Sequence, residues 1–256
     1  AASIVVNPAN LHRPAQPQPA SLKQHQDVNW LPEPQFWIDR QQIETPSSIQ
    51  WTLAFKDVTA PTNMRTMIAM IVGASGFGNT LPVLLPDGAN GERAYRRFAP
   101  LLLANLNSLV FDFIARQKVQ GQHLNLYIVE QIPVIAPHRF ETAIGNQTLA
   151  DFIRDQVLRL SYTAVDMRPF ATDMGYGGEP FVWDEDDRRH RLARLDALFF
   201  HLYGLDRNDA DYILAQFPIV REQDEKQFGR YLTRDLILAY MNAVAAGDLD
   251  TVVEVR

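Results

Sequence analysis

The stretch Ile49-Gln-Trp-Thr-Leu-Ala-Phe-Lys-Asp-Val58 decides the fold class. Apolar and polar residues alternate along it, and this period of two is typical of a β-strand with one buried face. Two further strands are predicted at Thr66–Val72 and Asn79–Leu85, on either side of the glycine-rich loop Gly73–Gly78. The pattern over residues 36–140 therefore indicates a mixed α/β unit.

Outward from these strands, the apolar residues take up helical spacing. Leu101–Arg116 carries an apolar stripe along one face of a predicted helix, and Leu124–Val129 is predicted to return to a strand. Beyond residue 148 the predicted helices are Thr148–Asp166, Asp186–Tyr203, Asp206–Gln216 and Thr233–Ala246. Gly204 is placed to end the second of these helices.

The chain divides into three regions. Residues 1–35 are rich in proline and glutamine and predict a linker or an irregular strap along a surface. The aromatic, proline-containing segment Trp30–Trp37 is expected to dock on the domain that follows. Residues 36–147 are expected to form an α/β (α+β) domain with a mixed sheet, and residues 148–256 a mainly α-helical C-terminal region.

The composition excludes several classes of protein. The chain has 256 residues, 46% of them hydrophobic, which suffices for one large domain or two small ones. It has no cysteine, so disulfides, thiolate metal sites and cysteine nucleophiles are excluded. Its apolar runs are far shorter than the roughly 18 residues of a membrane span, so no membrane is expected as a partner. The chain begins without Met, and we expect it to be a segment of a longer protein.

The acidic charge is unevenly distributed. The formal net charge is −6, but residues 36–150 hold nine basic and eight acidic groups, whereas residues 151–256 hold 13 basic and 20 acidic groups. Nucleic-acid affinity depends largely on the neutralisation of phosphates by basic groups. The fragment alone is therefore expected to bind nucleic acid weakly, unless another domain supplies basic groups or the middle region concentrates its own on one face.

No catalytic constellation emerges from the sequence. The loop Gly73–Gly78 is not followed by a predicted helix, which favours an ordinary turn over a phosphate-binding cradle. The acidic run Asp184–Asp187 lacks the spacing of a calcium loop and favours a solvated helix start. The histidines form no HxxxH or HxH metal pair, and they are His12, His25, His123, His138, His190 and His201.

The segment Ala115-Arg-Gln-Lys-Val-Gln-Gly-Gln-His123 is the strongest candidate for a binding surface. Arginine and lysine suit guanine edges or phosphates, glutamine suits adenine edges, and Gly121 permits the close approach of a backbone. The alternative is a solvated loop between a helix and a strand. A second polar cluster comprises Lys56-Asp57 and Thr62–Thr66, and its composition favours the same alternative, a solvated polar surface.

The order of several motifs resembles a known family. Trp51-Thr-Leu-Ala-Phe-Lys-Asp-Val-Thr-Ala-Pro-Thr-Asn-Met-Arg-Thr66 is similar to a stretch of large type IIG restriction-modification methylases and their phage-exclusion relatives. Further matching segments follow in order across about residues 30–240, and they are Asn105–Lys118, Gly121, Val129–Val134, Phe200–Leu205, Asp211–Leu214 and Phe217–Val220.

This resemblance implies a target-recognition region that lies C-terminal to an adenine-specific DNA methyltransferase domain. It implies double-stranded DNA and that methyltransferase domain as partners, and a cytoplasmic location. S-adenosylmethionine is implied as the methyl donor of the parent chain, but no cofactor is expected in this fragment. Asn7-Pro8-Ala9-Asn10 lacks the second proline and the aromatic residue of the methyltransferase loop that holds a flipped adenine. The fragment alone is therefore not expected to be an enzyme.

By the same resemblance, eight side chains are the candidates to face DNA. They are Arg116, Gln117, Lys118, Gln122 and His123, together with Lys56, Asn63 and Arg65. An alternative remains in which Arg116 and Lys118 are structural and pair with Asp112 or cap the helix. A second hypothesis for the whole chain is a non-catalytic protein-interaction scaffold, whose acidic helical tail docks on a basic partner.

Overall fold

A computed structural model describes residues 4–6, 17–32, 38–39 and 48–255 of the chain. The strands are β1 (Ile4–Val6), β2 (Pro17–Pro19), β3 (Trp51–Phe55), β4 (Ala69–Gly73), β5 (Val83–Leu84), β6 (Ala143–Ile144) and β7 (Gln147–Thr148). The helices are α1 (Leu22–Gln26), α2 (Gly88–Leu106), α3 (Leu109–Lys118), α4 (Leu126–Val129), α5 (Leu149–Ser161), α6 (Arg168–Asp173), α7 (Glu185–Leu202), α8 (Arg207–Leu214), α9 (Pro218–Phe228) and α10 (Leu232–Ala245). The α+β class is confirmed, with a small sheet followed by a mainly helical C-terminal region.

The central sheet has three strands in the order β4-β3-β5. Both neighbours of β3 run antiparallel to it, and Leu53 is paired with Ile71 on one side and with Leu84 on the other. All five residues of β3 are buried, although the alternating pattern predicted a strand with one solvated face. Thr52 is accommodated because its hydroxyl bonds the Leu84 carbonyl at 3.0 Å. The sheet is thus antiparallel within the described residues, rather than mixed.

Two helices replace the single predicted helix Leu101–Arg116. The first, α2, begins at Gly88 and ends at Leu106, and α3 starts after a break at Asn107 and Ser108. The Asn107 side chain bonds both the N–H and the carbonyl of Ala69, at 2.9 Å each, so it attaches to the sheet. The Ser108 hydroxyl accepts a hydrogen bond from the Phe111 N–H and caps α3.

The prediction of a strand at Leu124–Val129 was wrong. A single bridge joins Val58 to His123, and the Leu124 N–H donates to the Asp57 carbonyl at 2.8 Å. The extended pairing ends there, and the short helix α4 begins after Asn125. The helix α9 was not predicted, whereas the predicted start of α7 is confirmed by Asp184, which caps its first turn.

One continuous hydrophobic core spans the sheet and the C-terminal helices. The predicted boundary between residues 147 and 148 falls inside β7, just before α5, and residues from both sides contribute to this core. Trp51 of β3 donates from its indole N–H to Asp173 at 2.8 Å and meets the Phe170 ring edge-on at 5.1 Å. The sheet therefore packs directly on the helical region. No single described helix is long and apolar enough to cross a membrane. Among the described helices, α2 and α3 together have the necessary length and apolar composition, but their axes are bent by 69° at the break between them.

Part of the N-terminal region lies against the C-terminal helices. The His25 ring of α1 stacks on the Trp183 ring at 4.1 Å, and the Arg188 guanidinium lies over the same indole at 3.5 Å. Burial lowers the pKa of His25, and it lowers the pKa of Arg188 to about 10. The described residues 17–32 thus include a docked strap, while residues 33–37 of the predicted aromatic segment lie outside the described residues.

Candidate nucleic-acid interface

Asp112 of α3 organises a buried polar network beneath the candidate surface. Its side chain is fully buried and accepts hydrogen bonds from the N–H groups of Thr66, at 3.0 Å, and Met67, at 3.3 Å. Two guanidinium groups complete the shell, since Arg65 Nε lies 3.0 Å and Arg116 Nε 2.8 Å from its oxygens. Such a buried carboxylate is stable only because charged and backbone donors surround it.

Arg116 is a structural cross-link in this network. Only 8% of its side chain is exposed, and it donates to the carbonyls of Asn63, at 3.0 Å, and Met64, at 2.7 Å. Its guanidinium also lies 4.0 Å from the centre of the Phe217 ring. Arg116 therefore fastens α3 to the loop after β3 and to the start of α9. This geometry corresponds to the structural alternative, in which Arg116 pairs with Asp112.

Arg65 extends the network toward α7. It donates to the Asn107 carbonyl at the break between α2 and α3 as well as to Asp112. Asp196 of α7 lies near this cluster and accepts a hydrogen bond from the Leu109 N–H at 2.6 Å. Burial raises the pKa of Asp196 to about 6, although the nearby Arg65 charge lowers it. Arg65 thus contributes to packing between the sheet unit and the C-terminal helices.

The two remaining candidates, Lys56 and Asn63, lie outside the cleft between α3 and α4. Lys56 is half-buried, and its backbone N–H bonds the Ile68 carbonyl at 2.9 Å. Asn63 is exposed, and its amide nitrogen lies 3.4 Å from the Thr59 hydroxyl. Neither lines the cleft described next.

An open cleft lies where α3 ends and α4 begins. Its volume is about 630 Å³. We call it the amide cleft, and its lining residues are Gln117, Lys118, Gln120, Gly121, Gln122, His123, Asn125, Tyr127, Ile128 and Gln131. Four of the eight candidate residues meet here, namely Gln117, Lys118, Gln122 and His123.

The turn that forms one wall of the amide cleft is held to the sheet by four contacts. The Thr59 N–H donates to the Gln122 carbonyl at 2.9 Å, next to the bridge of Val58 with His123. His123 Nδ1 lies 2.8 Å from Asp57 Oδ2, and the other Asp57 oxygen is buried with no hydrogen-bond partner among the described residues. The Asp57 carbonyl in turn receives the Leu124 N–H. The polar side chains therefore project from an anchored backbone.

The amides of the cleft are not used by the fold. Within the described part of the chain, no hydrogen-bond partner is found for the side-chain amides of Gln117, Gln120, Gln122, Asn125 and Gln131. Asn125 stands at the N-cap of α4 yet makes no capping bond with its side chain. Each amide offers both a donor and an acceptor. The cleft thus presents a dense set of unpaired, uncharged hydrogen-bonding groups.

Sequence reasoning missed the second wall of the cleft. Asn125, Tyr127 and Gln131 were hidden by the incorrect strand at Leu124–Val129. Tyr127 is 61% exposed on α4, and Gln131 follows just after that helix ends. Asn125 is the signal from which the second wall could be predicted, because asparagine is favoured immediately before a helix starts.

The glycine-rich loop and the acidic and histidine side chains of the described residues form no recognisable cofactor or metal site. After the loop Gly73–Gly78 the chain enters β5, not a helix whose N-terminus would hold the phosphates or carboxylate of a cofactor. No group of three or more histidine, aspartate or glutamate side chains suited to a metal occurs among the described residues. Comparison with protein-family models, curated proteins and solved structures found no match to this chain.

Proposed function

We propose that the chain is a sequence-specific DNA-recognition module and that the amide cleft contacts double-stranded DNA. The observation that carries this proposal is the convergence of Gln117, Lys118, Gln122 and His123 on one open surface whose amides are unpaired. Glutamine and asparagine bond both base edges and phosphates, and lysine bonds phosphates. The cleft has the chemistry that such contacts require.

The resemblance to type IIG and phage-exclusion methylases supports a place for this module in a larger protein. In that arrangement it directs an adenine-specific methyltransferase domain of the same parent chain, in a cytoplasmic restriction-modification or phage-defence system. S-adenosylmethionine supplies the methyl group and is bound by that domain. The role of the present chain is to select and position the DNA, and no chemical step is assigned to its residues.

The anchoring of the cleft supports recognition because it reduces the entropy lost on binding. The network around Asp112 holds the end of α3, and the bridge from Val58 to His123 holds the following turn. Side chains carried by rigid elements lose less freedom when they meet a ligand, which sharpens discrimination between similar sequences. The buried arginines therefore support recognition indirectly.

The charge of the chain predicts weak affinity for DNA in isolation. Lys118 and His123 are the basic side chains that line the amide cleft, and the net charge is −6. Much of the acidity of the helical tail is paired internally along α-helices, as in Arg159 with Asp155, Arg191 with Asp187 and Arg221 with Glu225. The parent chain must therefore supply most of the phosphate neutralisation.

A binding selection tests the proposal. The chain is mixed with random duplex DNA at low salt, and the bound pool is sequenced. We expect an enriched motif of several base pairs, which is lost in the double variant Gln117→Ala with Gln122→Ala. The matched control is Gln227→Ala, since Gln227 is an exposed glutamine of α9 that does not line the cleft.

Two outcomes would contradict the proposal. Binding to a basic protein, with no enriched motif from either this chain or its intact parent, would favour the scaffold hypothesis. An enriched motif that is unchanged in the double variant would place recognition outside the amide cleft.

A further inference from the structure

We infer that the amide cleft reads adenine in A·T base pairs through the major groove, an assignment that rests on the proposed function. Five amide side chains, those of Gln117, Gln120, Gln122, Asn125 and Gln131, line the cleft. In the major groove a glutamine or asparagine amide matches the adenine N6 amino group and N7 together. The chemistry of the lining therefore favours one purine over the other.

The groups that would favour G·C pairs are scarce in the cleft. Arginine is the side chain best suited to the guanine O6 and N7 atoms, and carboxylates accept from the cytosine amino group. No arginine or carboxylate lines the cleft, and Arg116 beside it is committed to Asp112. Lys118 is the only lysine of the lining, and a single lysine suits a phosphate as well as a guanine.

One large exposed side chain of the cleft complements the thymine of the same pair. Tyr127 lines the cleft and is 61% exposed. Folded proteins expose large side chains singly without a functional reason, but Tyr127 lies in the same lining as the amides. The thymine methyl group, which only A·T pairs display in the major groove, is the apolar feature that such a ring contacts.

Gly121 lines the amide cleft and gives a position at which the approach of a duplex can be tested. Its φ is not positive, and a Cβ atom built on it would meet nothing within 4 Å. The fold therefore does not require glycine at this position. An alanine there should leave the fold unchanged, and its methyl group would meet only a partner that binds at the cleft.

The decisive experiment uses base analogues in the duplex that the chain selects. Each adenine is replaced in turn by 7-deazaadenine, which removes the N7 acceptor from the major groove and leaves the minor groove unchanged. We expect the dissociation constant to rise about fivefold or more at one or more positions, the loss of about one hydrogen bond. Each cleft amide is also replaced singly by alanine, and at least one such variant should abolish the effect of the analogue at one position.

A glycine pair gives a second readout. Gly121→Ala should weaken duplex binding at least severalfold and leave the melting temperature unchanged. The matched control is Gly177→Ala, because Gly177 is exposed, has no positive φ and has the same open surroundings away from the cleft.

The outcomes separate this inference from the proposed function. A duplex bound with sequence preference, but weakened only by 7-deazaguanine, would overturn the adenine assignment and leave DNA recognition intact. Effects of 7-deazaadenine that persist in all five alanine variants would also overturn it. Failure of both this chain and its intact parent to bind any duplex would contradict the proposed function, and the adenine assignment with it.

Discussion

Replacing Arg116 by alanine should destabilise the fold strongly. The substitution removes the guanidinium that lies 2.8 Å from the fully buried Asp112 carboxylate and that fastens the carbonyls of Asn63 and Met64. Removing one partner of a buried ion pair costs about 3–5 kcal/mol, because the other charge is left buried. Asp112 retains Arg65 and two backbone N–H groups, so we expect a value near the lower end, about 3 kcal/mol.

Thermal and urea unfolding measure this effect directly. For a chain of this length, about 3 kcal/mol corresponds to a fall in melting temperature of roughly 6–12 °C. Lys118→Ala is the matched control two residues away on the same helix, because Lys118 is exposed and has no ion-pair partner among the described residues. It should change the free energy of unfolding by no more than about 0.5 kcal/mol.

The reasoning is wrong if the melting temperature of Arg116→Ala lies within about 1–2 °C of that of the unchanged protein, which is the effect expected of an ordinary surface substitution. If that variant also lost DNA affinity selectively, Arg116 would be a DNA contact and not a structural cross-link. A selective loss of affinity in Lys118→Ala alone would instead agree with the present account.

Three further perturbations address the surface, the core and the strap. Lys118→Gln should reduce the slope of log affinity against log salt by about 0.9, one phosphate contact, in a salt titration of duplex binding; an unchanged slope would remove Lys118 from the interface. Burial raises the pKa of Asp196 to about 6, so its contribution to stability is full below about pH 4 and is lost as the pH rises through about 6. The free energy of unfolding of Asp196→Asn, relative to that of the unchanged protein, should therefore rise by about 3 kcal/mol from pH 4 to pH 7, measured by urea unfolding. A difference between the two proteins that does not change with pH would contradict this. Trp183→Ala removes the ring on which His25 stacks, and should accelerate cleavage after Lys23 by a lysine-specific protease, followed by mass spectrometry. Equal rates would show that the strap is held by other contacts.

The elements that the sequence predicts well are those determined by local pattern. The position of β3 follows from its alternating residues, and the start of α7 follows from the acidic residues at Asp184–Asp187. The alternating pattern of β3 also predicted one solvated face, and this was wrong because both faces are buried. That burial depends on helices far away in the sequence, which no local period reports.

The part of the candidate site that depends on local pattern could be predicted from the sequence, whereas the part that depends on distant contacts could not. The exposed Gln117, Lys118 and Gln122 follow directly from a polar segment after an apolar helix. Arg116 lies in the same segment, but its burial depends on Phe217, about a hundred residues further along the chain. The apolar run around Tyr127 has strong β propensity, yet tertiary contacts override it, because the pairing with β3 ends after one bridge.

The most direct test of the central claim is photo-crosslinking from the amide cleft. A benzophenone side chain is placed at Tyr127, which is 61% exposed and lines the cleft, or at Tyr212 of α8, which is 65% exposed and does not. Each protein is irradiated with a random duplex DNA pool at low salt. The account predicts a protein–DNA adduct from position 127 and little from position 212. Equal adducts from both positions, or an adduct from position 212 alone, would contradict it.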